Sequence, residues 1–282
     1  MSRQTEYDKV DLLGVEVDAI THAEAIAYIV DRASNPSTKP MYVVKPYVEF
    51  LDRAARDSSI RTILNGAELV LADGIALVWA ANYLYAGKRT FWRFWKSLTQ
   101  IVFTPTKLYW PLDKSLAGIN FTWPMLQGAA TQKLRVYLVG TSSTDQITHV
   151  AKTIQKQLAD LLIVGVHSGR DTSVEPGKVT SVWMDRLTDQ IEASDADLIL
   201  VGMGFPLQEE VIMVLAGKLS HGVLVGEGGT FDYEQFGGTH AKAPSLMQRL
   251  GLEWLWRLII QPSRWRRQLA VPRFIRLIWR SR

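Results

Sequence analysis

The residue types in four short segments suit chemistry on a phosphate-bearing ligand. Ala72-Asp73-Gly74 follows the apolar run Leu69-Val70-Leu71, and Lys45-Pro46-Tyr47 follows MYVV. Met203 to Glu209 reads MGFPLQE after DLILVG, and Glu227-Gly228-Gly229-Thr230-Phe231-Asp232 follows GVLVG. Together they offer carboxylates in Asp73, Glu227 and Asp232, an amide in Gln208, a cation in Lys45, and glycines at 74, 204 and 228. Glycine lets backbone approach a ligand closely, and backbone N–H groups can cradle phosphate oxygens. A fifth feature is charge. From residue 242 onward Lys242, Arg249, Arg257, Arg264, Arg266, Arg267, Arg273, Arg276, Arg280 and Arg282 face one acid, Glu253. Large apolar residues such as Trp254, Trp256, Trp265, Phe274 and Trp279 are interleaved with them, a mixture that suits the interface of an anionic membrane.

The elements that must position these residues are legible as alternating strands and helices. MYVV (41–44), RVYLVG (135–140), LLIVGV (161–166), DLILVGM (197–203) and GVLVG (222–226) are aliphatic runs without strict alternation, as expected of strands buried on both faces. Helical patterns occupy 145–159, behind Ser143, Thr144 and Asp145 as caps, and 179–193. That alternation predicts an open, doubly wound α/β sheet, mostly parallel, whose ligands bind beyond the carboxyl ends of the strands. Every segment above sits at such an end. Residues 89–103 form an amphipathic run, with Phe91, Phe94, Trp95, Leu98, Ile101 and Val102 on one helical face and Arg89, Arg93 and Lys96 off it. The run suits either a core-facing surface helix or a second membrane contact.

With 282 residues, 47% of them hydrophobic, a packed α/β domain plus an appendage is expected, and disorder is not. The net charge of +4 makes the positive charge local to the C-terminal segment. Cysteine is absent, so disulfides and thiolate metal sites are excluded. The opening MSRQTEYDKVDLLGVEVDA has no apolar core, so no signal peptide is expected, and no charge-free apolar stretch of about 18 residues predicts a spanning helix.

The runs ADGIALVWAANYL (72–84), VGMGFPLQEEVI (201–212), VGEGGTFDYEQFGG (225–238) and APSLMQRLGLEWLWRL (243–258) resemble the WecG/TagA/CpsF glycosyltransferases of bacterial surface-polysaccharide and teichoic-acid synthesis. The likeness spans roughly residues 10–270. It implies a Rossmann-like domain over 1–240, with an amphipathic insertion at about 86–115, and a membrane-associating appendage over 241–282. It implies inverting transfer of a sugar from a UDP-sugar to a polyprenyl-diphosphate-linked saccharide, without metal or other cofactor. The implied site is peripheral, on the cytoplasmic face of the bacterial inner membrane. By the same likeness Asp73 is the general base, Gln208 helps place the reactants, and Arg257, then Arg249 and Arg264, reach the donor diphosphate. Lys45, Gly74, Gly204, Glu227, Gly228 and Asp232 complete the expected substrate contacts. The residue types are consistent with this chemistry, because without a metal the leaving diphosphate needs fixed cations and backbone N–H groups. The chain departs from the family in having Lys45 and Tyr47 where Thr-x-Asn is usual, and Lys242-Ala243-Pro244 for R-A-P.

Each residue also has a plainer use. Asp73 could serve a turn or cap, and Glu227 and Asp232 could hold their own loop. Asp195-Ala196-Asp197 matches the D-x-D pattern of metal-dependent transferases, but it precedes its strand and is expected to connect helix to strand. His22, His149, His167, His221 and His240 show no ligand spacing and are expected in loops or at the surface. A non-catalytic scaffold of a polysaccharide assembly complex is the competing reading, and a nucleic-acid-binding protein is a weaker one. Aliphatic residues among the arginines favour lipid, so no nucleic-acid partner is expected. Homo-oligomerisation is left open.

Overall fold

A computed structural model describes residues 7–35, 39–113, 118–141, 143–244, 247, 253–262 and 265–281. The chain divides into two compact units, one of residues 1–21, 45–117 and 242–282, the other of 22–44 and 118–241.

The second unit holds the strands anticipated from the aliphatic runs: β3 (Met41–Val44), β5 (Arg135–Gly140), β6 (Leu162–Ser168), β7 (Leu198–Gly202) and β8 (Val223–Gly226). They lie side by side in the order β3-β8-β7-β5-β6, and every neighbouring pair is parallel. Helices α7 (Thr144–Gln157), α8 (Ser181–Ser194) and α9 (Leu207–Lys218) connect them, with α1 (His22–Ser34) ahead of β3 and α6 (Gly118–Thr131) ahead of β5. Tyr137, Val139, Ile199, Val201 and Leu224 pack with Trp183, Leu187, Val211 and Leu215 of α8 and α9. Their alternates Val136, Leu138, Leu198, Leu200, Val223 and Val225 point to the opposite face and are also buried. Burial on both faces is why these strands read as continuous aliphatic runs. Residues Ser143 and Thr180 cap α7 and α8 by accepting from Gln146 N and Trp183 N.

The first unit begins with a hairpin, β1 (Lys9–Leu12) and β2 (Val15–Asp18), turned at Leu13-Gly14 with both residues at positive φ. It continues through α2 (Val48–Ala54), α3 (Ser58–Asn65), the short β4 (Leu69–Val70), α4 (Ile75–Tyr85) and α5 (Phe91–Phe103). Its C-terminal part is helical: α10 (Glu253–Ile260), α11 (Trp265–Gln268) and α12 (Ala270–Arg280). Phe274 and Ile278 of α12 are fully buried, so part of the apolar content of the basic segment is core of this unit. No helix among the described residues is long and apolar enough to cross a membrane.

The D-x-D pattern lies at the amino end of β7, opposite the edge where ligands bind in such sheets. Asp195 ends α8 in the left-handed conformation, and Arg135 binds both carboxylates. Its Nε and Nη2 reach Asp197 at 3.1 and 2.8 Å, and its backbone N–H donates to the same carboxylate at 2.8 Å. Burial pushes the Asp197 carboxyl up, but these bonds outweigh it and hold it below its ordinary value. Its charge therefore stabilises the fold above the unfolded-state value near 3.9, and that stability is lost as pH falls through the lower folded value. Asp197→Asn should cost about 1–2 kcal/mol at pH 7, measured by urea unfolding, and the gap to wild type should close below about pH 4. A gap independent of pH would show that the charge is not what matters.

Candidate active site

In the second unit, glycines end three adjacent strands: Gly140, Gly202 and Gly226. A Cβ on Gly202 would meet the Phe231 ring at 2.7 Å, and one on Gly226 would meet Gln208 Nε2 at 2.5 Å. The strand ends are thus packed from above by the two loops that carry the candidate residues. After β7 the chain turns at Gly204, at φ +79°, and Gln208 enters the first turn of α9 with its N–H on Gly204 O at 2.9 Å. After β8, Glu227 N–H donates to Val201 O at 2.7 Å and the chain turns at Gly228, at φ +56°. A Cβ on Gly204 or Gly228 would meet nothing within 4 Å, so both turns face open space.

Gln208 joins the two loops. Its Oε1 accepts from Gly228 N–H at 2.7 Å, and its Nε2 donates to Glu209 Oε1 at 2.8 Å. Glu227 is held from its other side by Thr122 of α6, whose hydroxyl donates to Oε2 at 2.5 Å, and Glu227 O accepts from Thr230 Oγ1 at 2.7 Å. Gln208, Glu209 and Glu227 are all buried, whereas Asp232 is exposed at the edge of a tight turn that returns at His240. The structure therefore brings together Gly204, Gln208, Glu227 and Gly228. It adds two residues that sequence reasoning did not single out, Glu209 and Thr122. The first ends the run MGFPLQE, but its complete burial has no local signature. The second lies 105 residues from its partner, and no short-range pattern links them.

In the first unit, Asp73 is half-buried in the loop between β4 and α4, and its N–H donates to Pro46 O at 2.9 Å. Gly74, at φ +91°, caps α4, so Asp73 stands at the positive end of that helix dipole, which favours a carboxylate. The Pro46 bond places the segment after Asp73's strand beside the Lys45-Pro46-Tyr47 segment. Lys45 is buried. Tyr47, one of the departures from the family pattern, donates its hydroxyl to Glu49 Oε2 at 2.6 Å and accepts from Arg267 Nη1 at 3.4 Å. Arg267 also stands 3.7 Å from Glu49, and Arg273 stands 3.3 Å from the buried Asp52, which Arg56 holds at 2.7 Å. So α2 anchors the C-terminal helices of this unit by charge. Arg257 is half-buried on α10, while Arg249 and Arg264 lie outside the described residues.

Burial pushes the Glu209 carboxyl up to about 8, against the hydrogen bond from Gln208, which lowers it. The folded protein then keeps this proton up to about pH 8, whereas the unfolded chain releases it near 4.3. Its contribution to stability is full below the unfolded value and is lost as pH rises through the folded one. Glu209→Gln retains the oxygen that receives Gln208 and removes the titration. The wild-type melting temperature should therefore fall relative to that of Glu209→Gln between pH 5 and 8. Parallel melting curves across that range would contradict the assignment.

The sequence model of the Glycosyl transferase WecG/TagA/CpsF family matches residues 10–94 and 99–282, and the gap between the two stretches, 95–98, lies within α5. A Bacillus spizizenii protein named N-acetylglucosaminyldiphosphoundecaprenol N-acetyl-beta-D-mannosaminyltransferase is 28% identical over 238 residues, 84% of this chain and 78% of the relative. A Staphylococcus aureus protein of the same name is 26% identical over 268 residues, 95% of this chain and 91% of the relative. With nearly its whole length matched and the motif segments at the carboxyl ends of its strands, the chain belongs to the WecG/TagA/CpsF family of glycosyltransferases.

Proposed function

We propose that this enzyme transfers a sugar, with inversion and without a metal, from a UDP-sugar to a saccharide carried on polyprenyl diphosphate. The observation that carries the reading is the family match over both units, joined to the relatives' printed activity on an undecaprenol-diphosphate acceptor. Their activity makes N-acetylmannosamine the first donor to try. An acceptor held in a bilayer calls for a protein at its surface, and we assign this one as peripheral on the cytoplasmic face of the bacterial inner membrane. Residues 241–282 are its membrane-associating appendage.

The step is a single displacement. Asp73 takes the proton of the acceptor hydroxyl as that oxygen attacks the anomeric carbon. The bond from the anomeric carbon to the diphosphate oxygen breaks, and its electron pair leaves with UDP. Arginine, permanently charged and matched to phosphate in shape, offsets the new charge, with Arg257 first, then Arg249 and Arg264. Lys45 supplies a further cation beside the Asp73 loop. Gln208 acts by holding Gly228 and Glu227 in place, so that the open turns at Gly204 and Gly228 present backbone to the substrate. Gly74 and Asp232 contribute loop contacts.

Asp73→Asn should preserve folding and donor binding while lowering turnover by about 10²–10⁴-fold, measured by UDP release under saturating substrates. Activity within a few-fold of wild type would remove Asp73 from the role of base. Arg257→Ala should lower turnover far more than it moves the melting temperature, and EDTA should leave wild-type activity intact. Loss on chelation, restored by Mg²⁺ or Mn²⁺, would assign the leaving-group charge to a metal.

A further inference from the structure

The amphipathic run at 89–103 has two unlike sides on α5. The inner side is core. Phe94 packs edge-on against Trp79, Tyr83 and Trp279, and Ser97 Oγ accepts from Trp79 Nε1 at 2.8 Å. Arg93 folds back onto the carbonyls of Asn82, Tyr83 and Gly87 at 2.6, 2.9 and 2.8 Å, satisfying the last turn of α4. These contacts fix which way the helix faces.

The outer side is apolar and open. Trp92, Trp95, Thr99 and Phe103 recur at helical spacing along one stripe, with Lys96 among them. Trp92 is 80% exposed, Phe103 78% and Trp95 53%, and Phe91 and Trp110 nearby are each more than half exposed. Single exposed aromatics are ordinary, but a row of them marks an interaction surface. The sequence along the row is basic. Between residues 86 and 112 the sequence carries Lys88, Arg89, Arg93, Lys96 and Lys107 and no acid. Lys88, Lys96 and Lys107 are exposed. The helix beneath is basic as well: Trp279 of α12 packs on Phe91 and Phe94, Arg89 donates to Ser281 O at 2.6 Å, and Arg276 and Arg280 are exposed.

We propose that the outer face of α5 enters the headgroup layer of an anionic bilayer. Trp92, Trp95 and Phe103 insert at the acyl boundary, and Lys96 meets lipid phosphates. Tryptophan suits that depth because its ring is apolar and its N–H remains in the wet layer, and lysine reaches the phosphates from a buried stem. An excess of positive charge favours anionic lipid over neutral lipid. This surface would hold the protein where its acceptor resides, and to that extent it rests on the function proposed above.

The test is co-sedimentation of the full chain with extruded vesicles of equimolar phosphatidylglycerol and phosphatidylcholine, and with phosphatidylcholine alone. Wild type should bind the anionic vesicles more strongly. The variant carrying Trp92→Ser, Trp95→Ser and Phe103→Ser should bind them at least about tenfold more weakly, with an unchanged melting temperature. Should that variant fail to fold, Trp92→Ser alone decides, because this ring is 80% exposed and its ring contact is with Phe91, itself exposed; about a threefold loss is expected. Transfer to a short-chain, water-soluble acceptor should persist in every folded variant. Its absence already in wild type would count against the catalytic reading and leave the vesicle result standing. Unchanged vesicle binding by the folded variants overturns the proposal. So does a wild-type dimer that Trp92→Ser dissociates in sedimentation equilibrium, because the face would then belong to a second copy.

Discussion

The amide of Gln208 is the contact on which the strand ends of the second unit depend. One side chain receives the Gly228 N–H and gives its own N–H to Glu209, so the loops after β7 and β8 are fixed to each other. The arrangement demands glycine at 226, where any side chain would strike the amide, and glycine at 202, where one would strike Phe231. It also demands a buried acceptor beside the amide, which accounts for a fully buried glutamate in a first helical turn. Glu227, held by Thr122, fixes the second loop from its other side. Rigid loops with open glycine turns are the property a transferase needs when much of its hold on a diphosphate comes from backbone N–H groups.

The C-terminal segment answers to a different constraint, that charge must be both used and kept. Arg267 and Arg273 are committed to Glu49 and Asp52 of α2 and to Tyr47 just before it, while Phe274, Ile278 and Trp279 bind the segment to the core of the first unit. The lysine-and-tyrosine departure from the usual Thr-x-Asn thus has a structural consequence in Tyr47, which meets a C-terminal arginine. Anchoring by part of the arginine set fixes the helices that present the remainder.

Much of the parallel sheet was legible in the sequence, because strands covered on both faces have no polar alternates and stand out as aliphatic runs. The caps at Ser143 and Thr180 bound their helices as small hydroxyl residues do. Other elements left weaker traces. The β1–β2 hairpin buries Val10, Leu12, Val15 and Val17 in alternation with charged residues, and strands of four residues give too short a period to separate from polar coil. Helix α4 is apolar nearly all round, so no amphipathic stripe marks it. Among the candidate residues, Asp73 of the first unit and Gln208, Glu227, Gly204 and Gly228 of the second stand out in the sequence because they follow strands. Glu209 and Thr122 do not, since a charged residue's burial and a contact across 105 residues are decided by tertiary packing alone. The single amphipathic stripe expected through 89–103 is divided by packing: Phe94 turns inward, Phe91 and Trp95 stay outside, and the most exposed rings, Trp92 and Phe103, lie off that stripe.

The measurement that bears most directly on sugar transfer is the structure of the product. The purified chain would be incubated with UDP-N-acetylmannosamine and other UDP-N-acetylhexosamines, together with N-acetylglucosaminyl diphosphate on a polyprenyl chain, and the new linkage read by NMR. The account predicts one disaccharide formed per UDP released, with its anomeric centre inverted relative to the donor. A retained anomeric configuration, or no UDP release with any donor in the panel, would contradict it.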